Sequence, residues 1–369
     1  MTLRDIRPRQ AGRQQHRALM RLTLFVMGET HRILGEVQQW LVGAVQSLAD
    51  DEGNIDTNRL RGLDGQLESR FRQAIQRWVT LFAAAREQAA SLPFGVLVIQ
   101  HNAYLQPALF QEDMTPDDVG VIVQGWQQRR LRALQATQQR VYGDGLQLSQ
   151  RIWRLENGGL TTLRNTLNTA YTERTSAVGL ARQIEAQLGA DQDMPRWTRR
   201  RLYGMTASER AGDRTGLLTG TENRSRGIAY NALRLARTEL QFANHAVSAE
   251  IATHAPWVTG QHVRLSPAHP KSDICDQWAA GGPYPKGDSI LPLHSQCMCY
   301  REDAVMDKSQ FTQQVKGWLQ GNNTFLDDYQ AWLGAQRVTE PLPWTMSLAD
   351  SLELWLSNSQ GAQAAALRL

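Results

Sequence analysis

Two short stretches carry the residues best suited to metal or thiol chemistry. HPKSDICDQW (269–278) holds His269, Asp273 and Cys275, and PLHSQCMC (292–299) holds His294, Cys297 and Cys299. All three cysteines of the chain lie in these two stretches. Tetrahedral zinc takes thiolate and imidazole ligands, so Cys275, His294, Cys297 and Cys299 form a candidate metal set. His294 and Cys297 have the spacing of a zinc knuckle. The first half is incomplete, because Trp278 stands where a second C-x-x-C cysteine would fall, so His269 and Asp273 are alternative ligands. The competing reading is a thiol cluster, or a disulfide between Cys275 and one member of the C-x-C pair. An odd number of cysteines argues against a pure disulfide framework. Either way the chemistry is that of a staple, since a catalytic zinc keeps an open position and a placed base. A nucleophile made of Cys297 or Cys299 with His294 as base is disfavoured, because such partners usually converge from distant segments.

The elements around this constellation differ in kind. From 256 onward proline and glycine are frequent (Pro256, Pro267, Pro270, Gly281, Gly282, Pro283, Pro285, Gly287, Pro292). That stretch cannot be mainly helix and reads as loops with short strands at Val258 and His262–Leu265. A module so poor in apolar residues needs an extra staple. The rest of the chain reads as helix. Ile33, Leu34, Val37, Leu41, Val45 and Leu48 recur at helical spacing over 17–49, and Leu60, Leu63, Leu67, Phe71, Ile75, Trp78 and Phe82 over 59–91. The second of these is expected to stop before Pro93, with 94–112 a strand or a buried helical turn. Thr115 and Pro116 suit the N-cap and first position of a helix running towards Tyr142, with Asp117 and Asp118 favoured by its dipole. A helix begins over 146–156, and after Gly158 and Gly159 another carries Leu160, Leu163 and Leu167. Ala177, Ala181, Ile184 and Leu188 line a partner across a hairpin at 172–176. Thr206 with Glu209 is a capping-box signature, and 224–250 is one long helix. After Cys299 the chain is expected to return to helices, with a last one over 347–356.

The fold class is therefore mainly α: a long helical N-terminal part with helical hairpins, a small irregular α+β Cys/His module and a helical C-terminal tail. The expected segments are 1–112, 113–250, 251–305 and 306–369. With 369 residues, 41% hydrophobic and 21% charged, the chain has the composition of a globular protein with a sizeable core. No apolar run is long enough for a membrane span, and the basic start lacks the pattern of a signal peptide. The net charge of +4 is mild for a dedicated nucleic-acid binder. The one compact basic cluster, Arg196, Arg199, Arg200 and Arg201 beside Trp197, reads first as a solvated helix start or loop and second as a contact for packaged DNA. The chain has no Walker A loop, G-x-G-x-x-G, H-E-x-x-H or G-x-S-x-G motif, which weighs against the common enzyme classes.

The order of these motifs resembles the phage Mu F-like minor head protein family. The helix containing LARTELQFANHA (235–246) supplies Arg237, Thr238 and Glu239. Trp257 follows in PWVTGQHVR, then Cys275, then Pro292, His294, Cys297 and Cys299 in the closing motif. LSQRIWRL (148–155) and the helix over 176–188 resemble the family's helical part, so the likeness covers roughly 145–305. Ser295 and Met298 replace the usual proline and arginine, and the second cysteine of the first pair is absent. The resemblance implies a capsid component of the portal vertex, made in the host cytoplasm and carried in the virion. It would act in head morphogenesis, DNA packaging or ejection beside portal and other head proteins, without enzymatic activity and with zinc as a structural cofactor. The alternatives are a metal-dependent hydrolase or virion-carried effector, and a DNA-binding assembly module. On a helix, Arg237 and Glu239 point to different sides, so each is expected to anchor the helix to a different neighbour.

Overall fold

The computed structural model describes residues 8–50, 53, 55, 57–104, 116–142, 145–173, 175–188, 227–267, 269, 272–288, 290–294 and 297–336. The architecture is mainly α. In chain order the elements are α1 (Pro8–Ser47), α2 (Thr57–Tyr104), α3 (Pro116–Gln139), α4 (Leu148–Glu173), α5 (Ala177–Leu188), α6 (Ile228–His254), β1 (Val258–Arg264), α7 (Ile274–Ala280), β2 (Tyr300–Val305), α8 (Lys308–Leu319) and α9 (Asp327–Gln336). The Arg196–Arg201 cluster, the Thr206 cap, Thr115 and the 347–356 helix lie outside the described residues. Among the described residues no helix is long and apolar enough to cross a membrane.

The chain divides into two compact units, one built from 1–22, 86–137 and 240–369, the other from 23–85 and 138–239. The second unit is a helical assembly whose core follows the apolar stripes. Leu34, Leu41 and Val45 of α1 and Leu67, Phe71, Ile75 and Trp78 of α2 are almost fully buried. Trp78 stacks on Phe82 with ring centroids 5.1 Å apart, and its indole N–H donates to Thr30 Oγ1 at 3.0 Å. That hydroxyl removes the desolvation penalty of a buried N–H. The hairpin forms where expected, with α4 ending at Glu173 and α5 starting at Ala177.

Gly158 and Gly159 do not break a helix as expected: α4 runs through both. The reason at Gly159 is packing, because a Cβ there would come within 2.8 Å of Phe71 Cζ and 3.2 Å of Ile228 Cδ1. The helix keeps a residue of low propensity so that neighbouring side chains can approach its backbone.

In the first unit α2 does not stop before Pro93. It continues to Tyr104, with the proline inside it, so 94–104 is helix rather than strand. Proline has no N–H to bond the carbonyl four residues earlier, which here belongs to Ala89. That carbonyl accepts instead from the Asn244 side-chain amide of α6 at 2.8 Å. Asn244 is held in turn by Gln15 of α1, whose amide nitrogen lies 2.9 Å from Asn244 Oδ1 and 2.9 Å from Ser248 Oγ. A side chain from another helix thus supplies the hydrogen bond that the proline removes.

The return to helix after Cys299 is delayed by β2, which pairs antiparallel with β1 from Val258↔Val305 to Arg264↔Tyr300. The charged run Arg301, Glu302 and Asp303 hides this strand from an apolar-alternation reading. Its charges are absorbed locally: Arg301 Nε donates to Asp303 Oδ1 at 2.7 Å, and Asp303 Oδ2 accepts from Gln100 at 3.1 Å. Gln100 also accepts the Trp257 indole N–H at 2.9 Å, fixing the tryptophan that begins the module.

Candidate metal centre

The two strands deliver the donors. The last ladder pair is Arg264↔Tyr300. Beyond it one chain turns at Ser266, whose carbonyl accepts the His269 N–H at 2.8 Å, while Cys299 immediately precedes Tyr300. On its other edge β1 holds the proline-rich loop: Gln261 and Tyr284 exchange backbone hydrogen bonds of 2.9 and 2.7 Å. The Gln261 side-chain amide donates to the carbonyls of Pro285 and Asp288 at 2.6 and 2.7 Å. Gly260 is required here, since a Cβ would lie 2.8 Å from the Tyr284 carbonyl oxygen.

Cys275 is placed by a capping box. Asp273 caps α7 with its carboxylate accepting the Cys275 N–H at 2.7 Å, and Asp276 reaches back to the Asp273 N–H at 2.7 Å. The reciprocal pair satisfies two of the helix's orphan donors and turns Cys275 inward. On the other segment the Cys297 N–H bonds the His294 carbonyl at 3.2 Å, the tight turn that H-x-x-C spacing allows. The sulfurs of Cys275, Cys297 and Cys299 meet in a small core with Val263 and Leu291, and all three cysteines are free thiols.

Three of their separations match the edges of a tetrahedral site. With Zn–S near 2.3 Å and Zn–N near 2.0–2.1 Å, tetrahedral angles set S···S edges of about 3.8 Å and S···N edges of about 3.5 Å. Cys275 Sγ lies 3.6 Å from Cys297 Sγ and 3.3 Å from His294 Nε2, and Cys299 Sγ lies 3.8 Å from His269 Nδ1. Two triads close within 4.8 Å and share Cys275: His269, Cys275 and Cys299, and Cys275, His294 and Cys297. A third, His269, Asp273 and Asp276, borders them. The Cys/His group can therefore hold a metal ion. Each of the six expected donor residues, Asp273 included, belongs to at least one of these triads.

Hydrogen bonds from Cys275 first, then Cys299, hold the Cys297 thiol far below its ordinary range, and Cys275 is driven far up as a donor to that sulfur. Thiols packed together share negative charge poorly without a cation, and a bound cation deprotonates its thiols outright. Cys275, Cys297 and Cys299 are buried, at 0%, 1% and 2% exposure. His294 Nε2 lies 3.3 Å from Cys275 Sγ and 3.3 Å from Asp273 Oδ2.

Of the motif residues on α6, Arg237 and Glu239 are buried, Glu239 lying 3.6 Å from Arg140 in the second unit. Thr238 donates its hydroxyl to the Arg234 carbonyl at 2.8 Å. The contact with the cysteine segment is made further along the helix. Gln241 donates to Met298 Sδ at 3.4 Å, and its Oε1 accepts from His245 Nε2 at 3.2 Å. Burial first, with the nearby Arg301 charge, pushes the His245 imidazole down to about 4. Gln241, Asn244, His245 and Ser248 were not singled out in the sequence. Their signal was present: polar residues three and four apart in an otherwise apolar helix mark a buried polar stripe.

No family model matches the chain, and no curated protein and no solved structure matches it.

Proposed function

We propose that this chain is a structural assembly protein whose small module is closed by a zinc ion rather than a metalloenzyme. More particularly, we propose a minor head protein of the Mu F-like type, acting at the portal vertex in head morphogenesis, DNA packaging or ejection. The observation that carries the first step is the meeting of three buried thiols, in a core cluster shared with Val263 and Leu291, with two half-buried histidines beside them. Three cysteines and one histidine make a closed structural zinc site, and a core this small needs such a staple.

The second step is supported by the order of the Arg237–Glu239 helix, Trp257, Cys275 and the Pro292–Cys299 motif in the sequence. The burial of Arg237, Glu239 and Trp257 agrees with an anchoring role for each. Its partners would be portal and other head proteins, with assembly in the host cytoplasm and delivery into the virion.

Two measurements test the two steps. Elemental analysis of the reduced, purified protein should find about one zinc per chain, and a chain free of metal that folds fully would sink the zinc centre. Quantitative mass spectrometry of virions should find a few copies tracking the portal protein. Absence from both virions and assembly intermediates would sink the head assignment and favour a metal-dependent hydrolase or effector.

A further inference from the structure

A cavity of about 20 Å³ is lined by residues of α1, α2, α6 and β2 in the first unit, among them Gln15, Gln100, Ser248, Arg301 and Glu302. A water needs roughly 10–15 Å³ of such space, so the cavity has room for a water and not for a larger ligand. Gly12 lets α1 approach the strand there, since a Cβ would lie 3.3 Å from the Arg301 carbonyl oxygen and 3.6 Å from Glu302 Cα. The Arg301 side chain is 5% exposed, and its Nε donates to Asp303 Oδ1 at 2.7 Å. Its Nη1 and Nη2 are buried and meet no protein acceptor. Buried donors left so carry their full desolvation cost, and native structures rarely keep them.

The charges and acceptors around the cavity decide what fits. Asp303 neutralises Arg301, and Glu302 pairs with Arg264 at 3.0 Å. The other polar groups offer oxygens. Ser248 Oγ already gives its hydrogen to the Asn244 carbonyl at 2.9 Å, and Gln100 Oε1 accepts the Trp257 indole N–H at 2.9 Å with a second lone pair remaining. A halide would offer these oxygens no hydrogen and would sit beside two carboxylates. A cation would face the guanidinium. Water both accepts from Arg301 and donates to oxygens.

We infer that this cavity is a binding site for a single ordered water, which accepts from the Arg301 guanidinium and donates to the oxygens around it, joining the start of α1 to β2. A bridging water of this kind is nearly as good as a direct hydrogen bond. The site is independent of the metal centre and of the head assignment.

The test uses the full chain. Crystals of the wild type soaked in sodium bromide should show a density peak within hydrogen-bond distance of the Arg301 guanidinium and no anomalous bromide signal there. A bromide signal at that position would make it a halide site and overturn the inference, and so would the absence of any peak. In solution, oxygen-17 relaxation dispersion counts long-lived waters, and Arg301→Met should lose about one per chain relative to the wild type. Equal counts in a folded Arg301→Met chain overturn the inference. If that variant does not fold, the wild-type density decides alone.

Discussion

The Cys/His module and the helical second unit solve the problem of burying a core in opposite ways. The second unit spreads it over many apolar side chains, among them Leu34, Leu41, Val45, Leu67, Phe71, Ile75 and Trp78, each on a helical stripe. The module's core cluster is Val263, Cys275, Leu291, Cys297 and Cys299, so three of its five members are metal-type donors. In the first case stability is distributed and any single loss is partial. In the second it is concentrated in one centre, where the same atoms serve as core and as candidate ligands.

The largest expected effect follows directly. Structural zinc contributes about 10–16 kcal/mol of apparent binding energy in small modules at neutral pH. Chelation under reductant should therefore open amide exchange across 258–305, while the helices of the second unit keep their protection. Uniform loss of protection, or none in the module, would break the contrast. The converse perturbation is Trp78→Ala, which should cost about 3–5 kcal/mol and be read as a lower unfolding midpoint at unchanged zinc content. Loss of zinc along with stability would show that the two regions are not independent in their support.

The two solutions were also unequally legible. The helical stripes announced themselves, since burial at 3.6-residue spacing leaves a periodic trace, and Leu60 through Phe82 are all buried as expected. The donors of the module were legible by type and clustering. Their pairing was not, because the orientation of His269 depends on a capping carboxylate, Asp276, whose role emerges only when α7 forms. The missed helix boundaries have a common cause: local breakers were overruled by tertiary partners. Gly159 stays helical because Phe71 packs against it, and Pro93 because Asn244 supplies its missing bond. β2 was hidden because its charged residues find partners in the fold: Arg301 pairs with Asp303, Glu302 with Arg264, and Asp303 also accepts from Gln100.

The proline case sharpens how a buried polar contact differs from both solutions. Asn244→Ala should cost about 1–3 kcal/mol, the penalty for leaving the Ala89 carbonyl buried and unsatisfied. In a Pro93→Ala background the new N–H bonds that carbonyl, so the same asparagine change should cost less. A double-mutant cycle by chemical denaturation measures the coupling. Equal costs in the two backgrounds would mean that the Asn244 side chain acts through Gln15 rather than through the Ala89 carbonyl.

The smallest effect concerns the first unit away from the metal centre. His254, at the end of α6, stacks on Trp332 with centroids 5.6 Å apart. Its imidazole is held below the usual range, first by burial and then by the charge of Arg129, against the opposing pull of Glu250. A base whose folded pKa lies below its unfolded value of about 6.5 binds fewer protons when folded, so stability rises with pH through that window. The contribution is present above about pH 6.5 and is lost as the pH falls below it. In His254→Gln that part of the slope is removed. Denaturation midpoints at about pH 7.5 and about pH 5.5 should show the wild type losing ground to the variant on acidification. Because thiolate protonation at the metal centre acts on both proteins alike, only the difference between them reports His254, and parallel declines would assign the whole acid sensitivity to the module.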